Sequence, residues 1–436
     1  MNARLALAAT LLAAPLAVAD DWPHWMGPKR DNVWNETGIL DKFPKDGPKK
    51  LWSFPVAGGY AGPAVVGEHV YVTDYLTKDK VDEGNWNLKE QTGLERVFCV
   101  NAKTGKEVWK LEYPVTYKVS YPAGPRCTPV VDGDKVYTLG AMGDLYCLNA
   151  KTGKEVWKKQ LKDEYKAKVA IWGYAAHPLI DGDNLITIGG GEGSHVVALN
   201  KATGQEVWKA ETPPQDGFGY VPPSIIEAGG KRQLILISPL ALKGLNPATG
   251  EVYWSQKYGA TSGSVIMTPI VFGDYLYFGG YSKKNILLKL DKTKPAATTE
   301  WKDKKDHGVS AVNVQPFLQD GVVYGFDDSG IMYAVELPSG KRLWESTDVV
   351  GGEAKGSETA FIVKNGDRFF FFTEKGDLVI GKLDKTGYTE IDRAKGLLEP
   401  TGVAFGRKVV WCQPAFADKK MFVRNDKELV TFDLAK

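Results

Sequence analysis

Apolar and polar residues alternate in short segments along most of the chain, and turns rich in Gly, Asp and Asn separate these segments. In residues 94–109, one segment contains Phe98 and Val100, reaches a Thr-Gly turn, and is followed by a second segment that ends at Trp109. Alternation with a period of two is typical of β-strands, and glycine supplies the positive φ that a tight turn needs. The pattern therefore predicts consecutive β-hairpins and an all-β fold.

The same hairpin returns along the chain, with weaker copies after the first four. The copies end at a tryptophan: Trp109, Trp157, Trp208, Trp254, Trp301 and Trp344. Successive tryptophans lie 43 to 51 residues apart, which is the repeat length of a four-stranded propeller blade. Because the tryptophan returns at one place in each unit, we expect it to pack between neighbouring blades. A binding role for the tryptophans is the alternative.

A second series of residues gives the number of blades. Each unit opens with a short apolar segment at a proline or, once, at an alanine: Pro63, Pro129, Pro178, Pro223, Pro269, Pro316, Ala360 and Pro414. We expect each proline inside the innermost strand of its blade, since this edge strand needs no further ladder donor. Eight positions predict eight blades. Seven blades is the alternative, because the unit at residues 356–395 lacks the tryptophan.

The two ends of the chain are expected to complete the last blade together. Residues 409–434 supply three strands, and residues 48–54 resemble an isolated outer strand with Trp52 at the packing position. Joining them would remove the open edge of the ring. We therefore predict a signal peptide at residues 1–19, a lead-in segment at 20–47, and an eight-bladed β-propeller at 48–436.

The first residues have the features of an export signal. Arg4 precedes a short apolar run, and Ala17-Val18-Ala19 forms a cleavage site before Asp20. The run is shorter than the roughly 20 residues that span a bilayer, which disfavours a membrane anchor. With no cysteine before Cys99, we expect no lipid at the new N-terminus. The expectation is a soluble periplasmic or secreted protein without membrane insertion.

Composition disfavours several classes of function. The 55 Lys and Arg residues nearly balance the 53 Asp and Glu residues and are scattered through the chain, whereas nucleic-acid binding needs a concentrated basic face. The five histidines are dispersed and form no metal-binding motif with cysteine. We expect no nucleic-acid partner, no metal and a monomer. The cysteines are predicted to be four buried free thiols: Cys99, Cys127, Cys147 and Cys412.

The repeated Thr-Gly-x-x-x-Trp hairpin resembles the repeat of pyrroloquinoline-quinone (PQQ) dehydrogenases and of their non-catalytic relatives. These relatives include the propeller lipoprotein of the outer-membrane β-barrel assembly machinery. The resemblance covers nearly all of the mature chain, and residues 21–32 also resemble the lead-in of secreted proteins in this repeat family. It implies an eight-bladed propeller, but a fold alone does not specify a function.

The resemblance also raises the possibility of a PQQ- and Ca²⁺-dependent alcohol or sugar dehydrogenase. Such enzymes hold Ca²⁺ with Glu, Asn and Asp oxygens, and many carry two adjacent cysteines over the quinone, which this chain lacks. A PQQ site here would draw on Trp411, Glu358 and Asn313. We expect no catalytic residues and no cofactor, and keep the dehydrogenase as the alternative to a non-catalytic scaffold that binds a protein segment or small ligand.

The candidate binding site is the ring of residues that precedes the innermost strands. These residues should meet around the channel, on the face where the chain crosses from blade to blade. Aromatic and polar side chains together are typical of binding sites, whereas a wet channel mouth without a specific ligand is the alternative. The candidate residues in this ring and its crossing loops are Tyr60, Arg126, Trp172, Tyr174, His177, Tyr220, Asn313, Glu358, Trp411 and Gln413.

The longest insertion of the repeats, residues 74–93, is predicted to lie on the same face. It is charged and contains Trp86 among polar residues. A solvated loop is one interpretation. The other is a cap over the channel that contacts a partner through Trp86.

Overall fold

The computed structural model describes residues 20–215, 217–260, 264–304 and 306–436. The predicted signal peptide, residues 1–19, lies outside the described residues. The described chain forms eight four-stranded antiparallel sheets arranged as the blades of a β-propeller, and this confirms the predicted fold and blade number. No helix among these residues is long and apolar enough to cross a bilayer.

The first four blades follow each other along the chain, each with its strands in sequence order from the channel outward. Blade 1 contains β2 to β5 (Ala64–Val66, His69–Thr77, Gln91–Asn101, Glu107–Tyr117). Blade 2 contains β6 to β9 (Val130–Asp132, Lys135–Leu139, Asp144–Asn149, Glu155–Gln160), followed by the short helix α1 (Leu161–Glu164). Blade 3 contains β10 to β13 (Leu179–Asp181, Asn184–Gly191, Ser194–Asn200, Glu206–Ala210). Blade 4 contains β14 to β17 (Ser224–Ala228, Lys231–Ile237, Ala241–Leu245, Val252–Lys257).

The next three blades repeat this order. Blade 5 contains β18 to β21 (Ile270–Phe272, Tyr275–Gly280, Lys284–Leu290, Ala297–Lys302). Blade 6 contains β22 to β25 (Phe317–Gln319, Val322–Phe326, Met332–Glu336, Arg342–Ser346), with a 3-10 turn at Asp348–Val350 after it. Blade 7 contains β26 to β29 (Ala360–Asn365, Arg368–Thr373, Leu378–Asp384, Gly387–Ala394). Blade 7 is thus complete although it lacks the tryptophan, and the seven-bladed alternative is wrong.

The eighth blade joins the two ends of the chain. A small hairpin, β30 and β31 (Gly402–Ala404, Arg407–Val409), precedes it. Strands β32 to β34 (Ala415–Ala417, Lys420–Arg424, Glu428–Asp433) pair with β1 (Lys50–Pro55) at the outer edge. In this antiparallel pair Trp52 lies opposite Thr431. The predicted closure by an N-terminal strand is confirmed.

The repeated tryptophans pack between blades, as predicted. Trp109 donates its indole N–H to the Ala150 carbonyl of blade 2 at 2.9 Å, and Trp157 donates in the same way to Lys201 of blade 3 at 3.0 Å. These two indoles also cover the glycines of the next blade's Thr-Gly turn, Gly153 and Gly204. A Cβ built on Gly153 would lie 2.6 Å from the Trp109 ring. Glycine is therefore required there both for its positive φ and for this close approach.

Trp254 departs from this arrangement. Blade 5 has no glycine in the turn after β20, so Trp254 finds no flat backbone surface there. Its indole N–H donates instead to Gln233 Oε1 at 2.6 Å, within its own blade. The ring lies over Gly244 on the neighbouring strand, where an added Cβ would be 2.3 Å from the indole nitrogen.

Two expected boundaries need correction. The prolines lie directly before the innermost strands: β2 starts at Ala64 and pairs with β3 there, one residue after Pro63. A proline has no N–H with which to start the ladder, whereas Ala360 is itself the first residue of β26. The insertion of blade 1 is also shorter than residues 74–93, because β3 and β4 extend into it as a paired ribbon and leave a loop at 78–90.

The lead-in segment enters the central channel, which the sequence did not predict. Trp22 forms an antiparallel bridge with Val65 of β2, and Val131 of β6 donates its N–H to the Pro23 carbonyl at 2.8 Å. Further along, Trp34 donates its backbone N–H to the Lys364 carbonyl of β26 at 2.8 Å. Residues 20–36 therefore cross the channel from blades 1 and 2 to blade 7 and contact the innermost strands directly.

Candidate functional site

The blade crossings and the loops between second and third strands share one face, here called the crossing face. Tyr121, in the crossing from blade 1 to blade 2, donates its backbone N–H to the Gly84 carbonyl of the insertion at 3.1 Å. Asn85 of the same loop donates its side-chain amide to the Val119 carbonyl at 2.9 Å. The predicted position of the insertion is confirmed. Its loop is held against the crossing by hydrogen bonds.

Two candidate residues of the ring contact the lead-in. The ring of His177 stacks on Trp25 at a centroid distance of 4.6 Å, and its Nδ1 accepts from the Thr128 N–H at 3.0 Å. Burial, together with the nearby charge of Arg30, holds the pKa of His177 well below its ordinary value, so this imidazole is neutral at pH 7. Gln413 donates its amide to Asn32 Oδ1 at 2.7 Å. The lead-in thus occupies part of the ring predicted to bind a ligand.

Arg126 and Tyr60 lie together at the junction of blades 1 and 2. The Arg126 guanidinium is 5.2 Å from the centroid of the Tyr60 ring. Its N–H groups donate to the carbonyls of Ser120, Tyr121 and Gly124 at 2.6 to 2.9 Å. Both side chains keep partial solvent exposure. Arg126 therefore shapes the crossing loop and still presents charge at the channel.

The aromatic candidates of blades 3 and 4 form the channel wall. Trp172 and Tyr220 pack at a centroid distance of 5.1 Å, and the Tyr220 hydroxyl accepts from the Trp172 backbone N–H at 3.3 Å. Tyr174 is only 1% exposed and donates its hydroxyl to the Gly189 carbonyl at 2.9 Å. Trp172 retains partial exposure at the ring, whereas Tyr174 lies behind it in the core.

The acidic and amide candidates lie on the side of blades 6 to 8. Glu358 is buried, with Oε1 2.8 Å from Lys375 Nζ and Oε2 accepting from the Lys355 N–H at 2.9 Å. Trp411 donates its indole N–H to Glu374 Oε2 at 2.9 Å. Asn313 is partly exposed, and its Oδ1 has no partner among the described residues.

An exposed aromatic surface lies beside these residues, where the crossing from blade 7 to blade 8 meets the insertion of blade 1. We call it the mouth patch, formed by Trp86, Tyr121, Phe405 and Trp411. Their neighbouring rings are 5.5 to 6.4 Å apart between centroids. Trp86 is 59% exposed and Phe405 is 55% exposed. Both rings contact Tyr121, and exposed apolar side chains grouped in this way are typical of interaction sites.

Hydrogen bonds connect the two elements that carry the mouth patch. Gly406, at the tip of the β30–β31 hairpin, donates its N–H to Glu83 Oε1 of the insertion at 3.2 Å. Arg407 donates to Glu374 Oε1 at 2.6 Å and lies 5.6 Å from the Phe405 ring. Burial raises the pKa of Glu374, against the charge of Arg407. Sequence analysis missed Phe405 and Arg407, because residues 396–408 match no part of the repeat.

A comparison with protein families identifies the chain. The family model described as outer membrane protein assembly factor BamB (PQQ_2) matches residues 93–346, more than half of the sequence. The chain belongs to this family. A comparison with curated proteins found no match.

Solved structures with the same fold include members of both branches that the repeat resembles. BamB from Moraxella catarrhalis is 16% identical over 88% of this chain and 97% of that chain, with a TM-score of 0.55. The quinohemoprotein alcohol dehydrogenase from Comamonas testosteroni is 13% identical over 95% of this chain and 80% of that chain, with a TM-score of 0.62. Identities this low show the propeller fold and carry no activity with them.

Most of the residues considered for the PQQ and Ca²⁺ site of the alternative already have partners in this BamB-family protein. Glu358 and Trp411, two of the three residues considered for it, are engaged with Lys375 and Glu374. Across the described ranges, no three His, Cys, Asp or Glu side chains are grouped as ligands of a metal ion. All four cysteines are buried and free, as predicted, and no two are adjacent.

Proposed function

We propose that this protein is a periplasmic or secreted non-catalytic propeller scaffold that binds a protein segment at the crossing face. The observation that carries the proposal is the mouth patch, where Trp86 and Phe405 are more than half exposed beside the channel. Aromatic side chains dominate the energetics of protein interfaces because they bury a large area with few rotatable bonds. The proposal also includes a small ligand as the molecule bound at this face.

The construction of the patch supports a binding role over a solvated loop. The main chain around Trp86 turns at Asn85 and Leu88, which both have a positive φ. Hydrogen bonds between this loop and the crossing hold it in place. On the other side, the two-stranded β30–β31 ladder presents Phe405 at its tip. Held in this way, the aromatic side chains lose little conformational entropy when a partner covers them.

The compartment is proposed from the export signal predicted at residues 1–19 and from membership of the BamB family. That family is the one of the outer membrane protein assembly factor BamB. Attachment of this chain to such an assembly is not part of the proposal, since we expect no lipidated cysteine at its predicted cleavage site.

A selection from a random peptide library on the purified protein tests the proposal. We expect enriched peptides to bind the wild type and to lose at least tenfold in affinity with Trp86→Ala or Phe405→Ala. Tyr281→Ala is the matched control, because Tyr281 is 38% exposed at the corresponding turn of blade 5. Peptides that bind all variants equally, or that lose affinity only with Tyr281→Ala, would contradict the proposal.

The dehydrogenase alternative is tested on the same protein. Incubation with PQQ and Ca²⁺ is followed by the quinone absorbance and by dye reduction over a panel of alcohols and sugars. We expect neither a spectral change nor reduction. Turnover with any substrate of the panel would overturn the non-catalytic proposal.

A further inference from the structure

Two arginines at the channel have no acidic partner. Arg30 of the lead-in reaches across the channel and donates to the carbonyls of Pro178 and Pro223, which precede the innermost strands of blades 3 and 4. Arg126 donates only to carbonyls of its own crossing loop. Among the described residues, neither guanidinium forms an ion pair with a carboxylate. Deeply placed arginines without a countercharge are unusual, since buried charges are normally paired.

The two guanidinium groups lie in the same part of the channel. Burial raises the pKa of the Cys127 thiol, and the charges of Arg126 and Arg30 both act in the opposite direction, so both guanidinium groups lie near this thiol. Burial itself lowers the pKa of Arg30 to about 10, which is the electrostatic consequence of a charge that lacks a partner. Both residues are only partly buried as a whole.

The carboxylates of the ring are already neutralised. Glu358 is paired with Lys375, and Glu374 is paired with Arg407. Asp426, near Tyr60, lies 4.0 Å from the buried Arg424. These acids lie in blades 7 and 8, away from the contacts that Arg30 makes with blades 3 and 4. Glu95, the acid that also acts on the Cys127 thiol, is buried between blades 1 and 2 and accepts hydrogen bonds from the hydroxyls of Tyr113 and Tyr117. Arg30 and Arg126 thus place positive charge in the channel between blades 2 and 4 without forming an ion pair there.

The same part of the ring also has an excess of hydrogen-bond donors. The indole nitrogen of Trp172 is buried and has no acceptor among the described residues. The histidines add no charge at neutral pH, because burial, with a smaller effect of Arg30, lowers the pKa of His24 to about 4. A buried donor without an acceptor costs free energy, and an oxyanion would satisfy both the donor and the arginines.

We propose that this protein binds a small oxyanion, a carboxylate or a phosphate, in the channel between blades 2 and 4, through Arg30 and Arg126. Guanidinium groups suit such a ligand because their planar array of N–H donors matches carboxylate and phosphate oxygens. The lead-in then completes a binding site by bringing Arg30 into the channel. The two binding residues, Arg30 and Arg126, lie outside the mouth patch, so variants other than those of the proposed function test this inference.

Intrinsic tryptophan fluorescence tests the site, since Trp25 and Trp172 lie in this part of the channel. Sodium phosphate and sodium succinate are titrated at pH 8 and constant ionic strength, with succinamide as the uncharged control. We expect saturable binding of at least one anion and none of succinamide. Absence of saturable binding for both anions would overturn the proposal.

Variants then assign the binding to the arginines. Arg30→Gln is expected to lower the affinity for the anion at least tenfold. Arg30→Lys keeps the charge but loses the planar donors, and it is expected to lower the affinity less. Arg232→Gln is the control, because Arg232 forms an ion pair with Asp181 at the turns between the first and second strands of blades 3 and 4, on the face opposite the blade crossings. Circular dichroism checks the folding of each variant. If Arg30→Gln does not fold, Arg126→Lys replaces it, with a loss of at least threefold expected. Unchanged binding in a folded arginine variant would contradict the site.

Discussion

Arg424 is fully buried at the seam where blade 8 meets blade 1. Its Nη1 donates to the Thr73 carbonyl of β3 at 2.5 Å, its Nη2 donates to the Ala57 carbonyl, and its Nε donates to its neighbour Asn425 at 3.1 Å. A single side chain from the last blade thus binds two backbone groups at the start of the first. The closed ring depends on this cation as well as on the pairing of β1 with β34.

Replacing Arg424 by Met should lower the free energy of unfolding by about 2–4 kcal/mol, because it leaves three carbonyl groups without donors in a buried seam. Urea denaturation followed by circular dichroism measures the effect. Arg232→Met removes an arginine of similar size from an exposed ion pair and should cost less than about 1 kcal/mol. Equal losses in the two variants would show that Arg424 has no special role in closure.

Glu95 is a second buried charge site, between blades 1 and 2. Its carboxylate accepts from the hydroxyls of Tyr113 and Tyr117 and from the Ala141 N–H. Burial raises its pKa from the ordinary value of 4.5 to about 7, although the hydrogen bonds from both tyrosines act in the opposite direction. The folded state therefore favours the protonated acid, and stability is lost as the pH rises from about 4.5 to about 7.

Glu95→Gln should remove this pH dependence. Since glutamine remains neutral, the variant and the wild type should differ little at pH 5, whereas at pH 8 the variant should gain up to about 3 kcal/mol relative to the wild type. Denaturant unfolding at both pH values measures the difference. Glu112→Gln is the control. Glu112 forms a half-exposed ion pair with Lys110, which lowers the pKa of the Glu112 carboxyl, so this variant should show no such gain. A pH-independent difference for Glu95→Gln would contradict the raised pKa.

At the scale of the strand and the turn, the contact between a tryptophan and the next blade's glycine is the repeating unit of packing. Gly153 and Gly133 both have a positive φ, of 68° and 59°. Only Gly153 lies under an indole, whereas a Cβ on Gly133 would meet no atom within 4 Å. The two glycines therefore separate backbone strain from loss of packing between blades.

Gly153→Ala should destabilise the protein by about 1–3 kcal/mol more than Gly133→Ala. Both changes impose strain of about 1 kcal/mol at positive φ, and the first also forces the Trp109 ring away from the turn. Thermal and urea unfolding of the two variants give the difference, and Trp109 fluorescence should change only in Gly153→Ala. Equal destabilisation by the two substitutions would mean that the close contact between the Trp109 ring and Gly153 does not contribute to stability.

The elements that follow the repeat could be predicted from the sequence, and those that break it could not. The period of tryptophans specifies blades, and Trp52 with the C-terminal strands specifies closure, because local hairpin patterns determine both. Trp254 looks like its counterparts in sequence. Its indole N–H nevertheless bonds to Gln233 of its own blade, because the turn of the next blade, about 40 residues away, lacks the glycine. Phe405 reaches the patch of Trp86 because its neighbour Gly406 bonds to Glu83, a long-range contact for which no local pattern exists.

At the scale of the whole molecule, the lead-in is an internal part of the ring. Trp22 and Trp34 are 2% and 1% exposed, and Trp34 packs against Phe370 of blade 7 and Phe416 of blade 8. A segment that precedes the first strand thus contributes to the core of the last two blades. It also decides which ring residues remain accessible, since Trp25 covers His177.

A protein that lacks residues 20–40 should therefore fold with lower stability and bind a synthetic peptide of those residues. Losing the burial of Trp22 and Trp34 should cost about 5 kcal/mol and lower the Tm by roughly 5 °C. Adding the peptide should raise the Tm in a concentration-dependent way, by mass action. A peptide with both tryptophans replaced by alanine should not raise the Tm.

The Arg30→Gln peptide should restore stability yet leave phosphate or succinate unbound, so the structural and ligand-binding roles of the segment can be measured apart. Recovery of stability by the alanine peptide, or no recovery by either the wild-type or the alanine peptide, would contradict this prediction. It would mean that the contacts of Trp22 and Trp34 do not account for the stability that the lead-in contributes.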